Sequence, residues 1–344
     1  MNLACRVAAS PCRRVLTSTP SVDVGAPRAY PCENGPMADF RFRLNPRARE
    51  LPNCSAVLHG RGAKYDVHDY RTTLSLKSVV RGVARYHTPQ GHYLLTPDAF
   101  LILNDGQRYS LEFDGRTYTE TLCPFFQPGF LDQAAATAGT RPERQLDDPD
   151  PAAPALDFCE RLYPKTGAVA RALAGFEAGF RVPQGSTPWL EDRMYALAEA
   201  LAGLRLQVRG EAESFPGLRA GTRMELYRRL YRGRDFLLSC YDQPLTVAAV
   251  ARVATLSPFH FQRMFKLAFA QTPMQFLQET RLKAARRLLA HTGDDVTDIC
   301  FAVGFESLGS FSWLFRKRFG VSPRAFRAHG ENRRIEEVID GAVA

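Results

Sequence analysis

The sequence predicts an α+β chain of several domains. An antiparallel β barrel or sandwich comes first, then a helical connector, and an all-α C-terminal domain carries two helix–turn–helix motifs. Three observations predict this. Short apolar runs broken by turn signals fill residues 55–125, apolar residues at helical spacing begin near residue 189, and a set of aromatics near the C-terminus recurs at an offset of 50.

The 344 residues are 45% apolar and 24% charged, which excludes collagen-like and disordered classes and leaves room for more than one core. No run approaches the roughly 18 apolar residues of a spanning helix. Net charge is +9; six of the 45 basic residues are Lys and 39 are Arg, a bias that suits phosphate and base contacts but also arises from GC-rich codons. The eight Cys are scattered with no Cys-x-x-Cys pair, which argues against a zinc site or disulfide framework and for a reduced, cytoplasmic protein.

Residues 1–36 are rich in Pro, Ser, Ala and Arg without apolar periodicity, and read as a disordered extension, with Met37 as a candidate start. The strand-like runs are 73–80, 92–95, 99–103 and 109–113. Pro89-Gln90-Gly91, Thr96-Pro97-Asp98, Asn104-Asp105-Gly106 and Asp114-Gly115 supply turns. Residues 137–154 read as a linker ending in Asp147-Asp148-Pro149-Asp150-Pro151. In the connector, Leu190, Met194, Leu197, Leu201 and Leu204 form one helical stripe. A second helix over 221–241 places Met224, Tyr227, Leu230 and Tyr231 together. Such stripes serve either as core or as a dimer contact.

The repeat is the most specific signal. Phe261, Phe265, Phe269, Pro273 and Phe276 recur as Phe311, Phe315, Phe319, Pro323 and Phe326. Upstream, Val247, Val250, Ala251 and Leu256 recur at an offset of 49 as Val296, Ile299, Cys300 and Phe305, with Glu306 as the insertion. Each copy reads as helix, tight turn, helix. Ser257 and Ser307 are placed to cap the second helices, Pro258 stands at a first helical position, and Gly304 supplies positive φ in the second turn. With the Phe residues inward, the outward stripe of copy one is Phe259, Gln262, Arg263 and Lys266. That of copy two is Gly309, Ser312, Trp313 and Arg316, with Lys317 and Arg318 alongside. Gln pairs with adenine and Arg with guanine in the major groove. The helix between the copies, 274–291, spans about 27 Å, near the ~34 Å between successive major-groove faces. Residues 236–330 hold 12 basic and 6 acidic residues, so about a quarter of the chain carries +6 of the net charge.

These residues resemble the DNA-binding domain of the AraC/XylS family of bacterial transcription regulators. The resemblance is carried by Leu256-Ser257-Pro258-Phe259-His260-Phe261-Gln262-Arg263-Met264-Phe265-Lys266, by 281–289, by Val303-Gly304-Phe305-Glu306-Ser307, and by 315–323. It implies an effector-responsive regulator, commonly an activator, that dimerises, binds double-stranded promoter DNA and works with RNA polymerase. The implied DNA contacts are Pro258, Phe259, Gln262, Arg263 and Lys266 from the first motif, and Gly309, Ser310, Ser312, Trp313, Arg316 and Lys317 from the second. Two positions depart from the family pattern: Thr255 stands where Gly is usual, and Trp313 where Arg is frequent.

The strand-rich part resembles the cupin-like sensor domain of the same family. The expected division is 1–36 extension, 37–136 sensor, 137–154 linker, 155–235 connector and dimerisation region, 236–330 DNA-binding domain and 331–344 tail. Arg71, Tyr86, His92, Tyr93 and Tyr109 are candidates to line a sensor pocket for an unidentified small molecule. The rival reading is a cupin-type metalloenzyme fused to a DNA-binding domain, motivated by His59, His68, His87 and His92. Against it, His87 and His92 are expected on opposite strand faces, and Ala99 and Ile102 stand where a second cupin motif would have Gly and a ligand His. No catalytic arrangement, cofactor or metal site is expected.

Overall fold

Alternating turn and strand signals give a run of strands before the first long helix. The structure, a computed structural model, describes residues 41–44, 55–113, 118–131, 134, 157–179, 187–215 and 219–328. The expected extension 1–36, linker 137–154 and tail 331–344 lie outside these residues. Strands β1 (Arg41–Leu44), β2 (Ala56–Gly62), β3 (Asp66–Arg71), β4 (Ser75–Arg81), β5 (Ala84–Thr88), β6 (Gly91–Leu95), β7 (Ala99–Leu103), β8 (Arg108–Phe113), β9 (Thr119–Phe125) and β10 (Leu162–Pro164) build two sheets.

One sheet runs β1-β2-β9-β4-β7-β10 and the other β3-β8-β5-β6. All pairings are antiparallel except β1 on β2. The sheets face one another as an open sandwich. Strand β10 comes from the segment expected to be helical connector, yet it pairs with β7 and so completes the sheet.

The six-stranded sheet is buried on both faces. Val79, Leu101 and Leu103 pack toward the second sheet with Tyr86, Tyr109 and Phe113. Val57, Leu76, Phe100, Ile102 and Leu122 pack on the other side against helices. Those helices are α1 (Gly167–Gly179), α2 (Thr187–Glu213) and α3 (Ala220–Ser239). Leu190, Met194, Leu197 and Leu201 of α2 are all buried here, as are Tyr227 and Leu230 of α3. Most of both stripes is therefore spent inside the chain, with Leu204, Met224 and Tyr231 half-buried.

Helix α3 also joins the sandwich to the C-terminal helices. Leu238 packs on the inter-sheet core. The Leu94 N–H donates to Ser239 Oγ at 3.1 Å. Asp235, 1% exposed, accepts the Leu162 N–H at 2.7 Å and pairs with Arg234. Arg161 stacks among Tyr163, Tyr227 and Tyr231 and reaches Glu211. Burial pushes the Asp235 carboxyl above the usual range, and the Arg234 guanidinium opposes that shift.

The remaining helices are α4 (Val247–Val253), α5 (Pro258–Phe269), α6 (Pro273–His291), α7 (Val296–Ala302) and α8 (Leu308–Phe319), with a helical turn over 323–328.

Candidate nucleic-acid interface

Each motif is built by the same local devices. Thr246 caps α4 by accepting the Ala249 N–H, and the Ser257 hydroxyl accepts the His260 N–H at 3.3 Å with Pro258 in the first turn of α5. In copy two the Ser307 hydroxyl accepts the Ser310 N–H at 3.2 Å. The first helix ends alike in both copies: Leu256 N–H donates to Ala251 O at 2.9 Å, and Phe305 N–H to Cys300 O at 3.0 Å. That six-to-one bond needs a left-handed residue just before it.

The left-handed residue is Gly304 in copy two, φ 88°, and Thr255 in copy one, φ 52°. A Cβ on Gly304 would lie 2.9 Å from the Asp242 carbonyl oxygen, so space as well as conformation selects glycine there. Thr255 is a β-branched residue held where such residues are strained. The same contrast recurs after the recognition helices, where Ala270 (φ 56°) matches Gly320 (φ 82°). Copy one thus carries two strained positions that copy two avoids.

Phe261 and Phe265 of α5, and Phe311 and Phe315 of α8, are fully buried. They force the opposite stripe outward. Pro258, Phe259, Gln262, Arg263, Lys266, Gly309, Ser310, Trp313, Arg316 and Lys317 are all exposed, and Ser312 is half-buried. Phe259 is 79% exposed and Trp313 62%, so neither serves the core. Trp313 does not pack into the protein; Lys317 Nζ lies 4.9 Å from its ring centroid. Gln262, Arg263, Lys266 and Arg316 are engaged in no intramolecular hydrogen bond or ion pair among the described residues. Arg318, read as lying alongside the stripe, is instead held by Glu279 at 2.8 Å.

Several positioning residues carried no signal in the sequence. Arg281 of α6 donates through Nε to the Tyr241 carbonyl at 2.7 Å and through its terminal nitrogen to Gln243 O at 2.8 Å, fixing the chain that enters α4. Gly233 of α3 faces Phe261, and a Cβ there would lie 2.6 Å from Phe261 Cε2. Helix α6 has 19 residues, about 28 Å of axis, and opens with a full capping box between Thr272 and Gln275.

The sandwich does not gather metal ligands. His59 bonds Glu120 at 2.5 Å and His68 pairs with Asp66 on the surface. His87 and His92, expected on opposite faces, are direct partners across the β5–β6 hairpin, with Nδ1 atoms 2.5 Å apart. The turn at Pro89-Gln90 folds the chain back, so the alternation of a single strand does not apply. No group of three or more His, Cys, Asp or Glu fit to hold a metal occurs among the described residues. Of the pocket candidates, Tyr86, Tyr93 and Tyr109 lie in the inter-sheet core, while Arg71 and His92 are exposed.

Comparison with known proteins matches residues 250–329 to a helix-turn-helix domain and residues 56–176 to an AraC-like ligand binding domain. The HTH-type transcriptional activator RhaS of Enterobacter sp. (strain 638) is 44% identical over 99 residues, 29% of this chain and 36% of RhaS. The bifunctional transcriptional activator/DNA repair enzyme AdaA of Bacillus subtilis (strain 168) is 31% identical over 107 residues, 31% of this chain and 49% of AdaA. A crystal structure of an AraC-type transcriptional regulator from Chromobacterium violaceum is 28% identical, covering 33% of this chain and 96% of that one with a TM-score of 0.29. The chain thus spans less than half the length of these two curated relatives. With a ligand-binding sandwich of AraC type preceding the doubled helix–turn–helix domain, the chain belongs to the AraC/XylS family.

Proposed function

We propose that the protein is a sequence-specific, effector-responsive transcription regulator that reads adjacent major-groove segments of double-stranded promoter DNA with α5 and α8. One observation carries this: two recognition helices of like construction each present exposed polar and cationic side chains, Gln262, Arg263 and Lys266 on one, Arg316 and Lys317 on the other. The ~28 Å of α6 is close to the ~34 Å groove repeat. Activation, with RNA polymerase as partner, accords with the activators it resembles. A homodimer in the cytoplasm is the assembly proposed, using surfaces other than the buried residues of the two stripes. No described helix is long and apolar enough to cross a membrane. The sandwich, with β10 included, is the proposed sensor, and α3 the element through which it acts. A ligand shifts the reader only by binding its two arrangements unequally.

The test is selection of binding sites from random DNA and footprinting of the selected sites. The expected result is two protected segments about one turn apart on one face of the duplex. Arg263→Ala and Arg316→Ala should each cost about 1–3 kcal/mol and relax different base positions. Uniform loss on all sequences from both variants would make the two side chains phosphate contacts and remove the readout proposal.

A further inference from the structure

Lys77 is the most anomalous group among the described residues. It lies in the middle of β4, opposite Leu101 of β7. The alternation that sends Leu76 to the helix-side core sends Lys77 between the sheets. Its side chain is fully buried, and Nζ has no hydrogen-bond partner. Lysine is almost never fully buried unless paired. The other buried or shielded cations show the usual solution: Arg234 has Asp235, Arg161 has Glu211, and Lys165 has Glu177.

Around Lys77 the walls are aromatic. Nζ lies 3.7 Å from the ring centroid of Phe125 and 4.4 Å from that of Tyr109. These rings belong to two separate apolar clusters, one centred on the second sheet and the other formed by Ala56, Leu58, Cys123 and Phe125. The amine therefore sits between the inter-sheet core, to which both sheets contribute, and a smaller apolar group on the inner face of the six-stranded sheet. The titratable groups that face it are Cys123, Tyr86 and Tyr109, with the Tyr86 hydroxyl 3.7 Å from Cys123 Sγ. The carboxylates of the bordering strands point elsewhere: Glu120 lies on the far face of β9 bonded to His59, and Glu112 is exposed on the outside of β8.

We propose that Lys77 is the charge anchor of the sensor site and that the effector is an organic monocarboxylate. Its carboxylate would pair with Nζ, and its apolar or aromatic body would lie along Tyr109 and Phe125. The proposal rests on the reading of the sandwich as a ligand-binding domain. A carboxylate supplies both things the amine lacks, an acceptor and a counter-charge. Facing aromatic rings stabilise the ammonium form, which favours an ion pair over a neutral-amine adduct with a carbonyl.

Burial pushes the Lys77 amine down to about 7. Pairing with a carboxylate raises it again, so binding takes up a proton wherever free Lys77 is neutral. Affinity should then fall by about tenfold per pH unit above 7, because the ligand's own carboxyl stays ionised there. Burial raises the Tyr86 and Tyr109 hydroxyls well above this window.

The test is calorimetric titration of the full chain at pH 6.5, 7.5 and 8.5. The probes are hexanoate, cyclohexanecarboxylate and phenylacetate, their neutral amides, and a broad set of neutral sugars and alcohols. We expect at least one carboxylate to bind ten times or more tighter than its amide, with the stated loss toward high pH. Lys77→Met should melt at a higher temperature than the parent. It should keep whatever affinity the amide has, and lose both the carboxylate preference and the pH dependence. An amide bound as well as its acid, neutral ligands bound with no carboxylate bound, a Lys77→Met protein that still discriminates, or an aldehyde adduct trapped on Lys77 by borohydride would each overturn the proposal. If nothing in either set binds, the ligand-binding reading of the sandwich fails, and the assignment of Lys77 falls with it.

Discussion

Gly233→Ala sets two effects of known size against each other. Gly233 lies inside α3, where alanine is the better helix former by about 1 kcal/mol. On an open helix face the substitution would stabilise. Here the new methyl would come to 2.6 Å from Phe261 Cε2 and 2.9 Å from Cζ, with Ala254 Cβ at 3.4 Å. Phe261 is fully buried, so its ring has nowhere to swing, and relief requires α3 and α5 to separate by several tenths of an ångström. Overpacking of this kind costs about 1–3 kcal/mol. Taking the helix gain from it leaves a net loss of about 0–2 kcal/mol, or up to about 6 °C in Tm for a unit of this size. Because Phe261 is one residue from Gln262 and two from Phe259, the displacement should also reach the reading face and weaken DNA binding through copy one. The assays are thermal unfolding monitored by circular dichroism, and titration of a selected DNA site. A Tm above the parent's would show that helix propensity wins, and that α3 and α5 are not seated as closely as argued.

Thr255→Gly should relieve a left-handed threonine and stabilise by about 1 kcal/mol in urea unfolding, with glycine's larger unfolded-state entropy reducing the gain. An unchanged midpoint would mean that the turn is not strained. Asp235→Ala should cost about 3–5 kcal/mol, because it strips the buried partner from Arg234 and from the Leu162 N–H; a loss under 1 kcal/mol by the same assay would remove Asp235 as the tie between α3 and β10. Trp313→Ala should leave the melting temperature within about 1 °C, since surface changes stay near ±0.5 kcal/mol. It should weaken DNA binding, and a drop in Tm with unaltered DNA binding would return Trp313 to a packing role.

The two motifs were legible in the sequence because their devices are local. A Phe every four residues, a Ser before each second helix and a Gly in a tight turn each have one structural meaning at short range. Strands β4, β6, β7 and β8 were legible for the same reason, through their turns. What failed were inferences about partners distant in sequence. His87 and His92 look opposed on a single strand and become neighbours once Pro89-Gln90 reverses the chain. The run 73–80 does not say by itself how many of its faces are covered. The strand is central and covered twice, so Lys77 is enclosed. Nor does a helical stripe say which surface will cover it. Leu197 and Leu201 could have met a second chain, and they meet the sandwich and its neighbouring helices.

The two copies of the motif are alike in construction but unlike in attachment, and that difference bears on how a sensor could act. Copy one shares a single core with the sandwich and connector: Val250, Ala251, Phe261 and Phe265 belong to the cluster that also holds Leu230, Leu197 and Phe100. Copy two has its own core of Leu282, Ala285, Ile299, Cys300, Phe311 and Phe315. Among the described residues its half of α6 reaches the sandwich through Arg287 and Asp98, an exposed pair at 3.8 Å. Exposed pairs are worth about 0–1 kcal/mol, whereas breaking a buried tie such as Asp235 costs several times that. On the proposed sensor reading, a change between the sheets would be transmitted first through β10, α3 and Gly233 to α5. It would reach α8 along α6 and through Tyr241, which packs on both cores. Substitutions in the stripe of α8 should alter affinity for DNA while leaving its dependence on effector intact. Substitutions along the α3–α5 seat should alter the dependence itself.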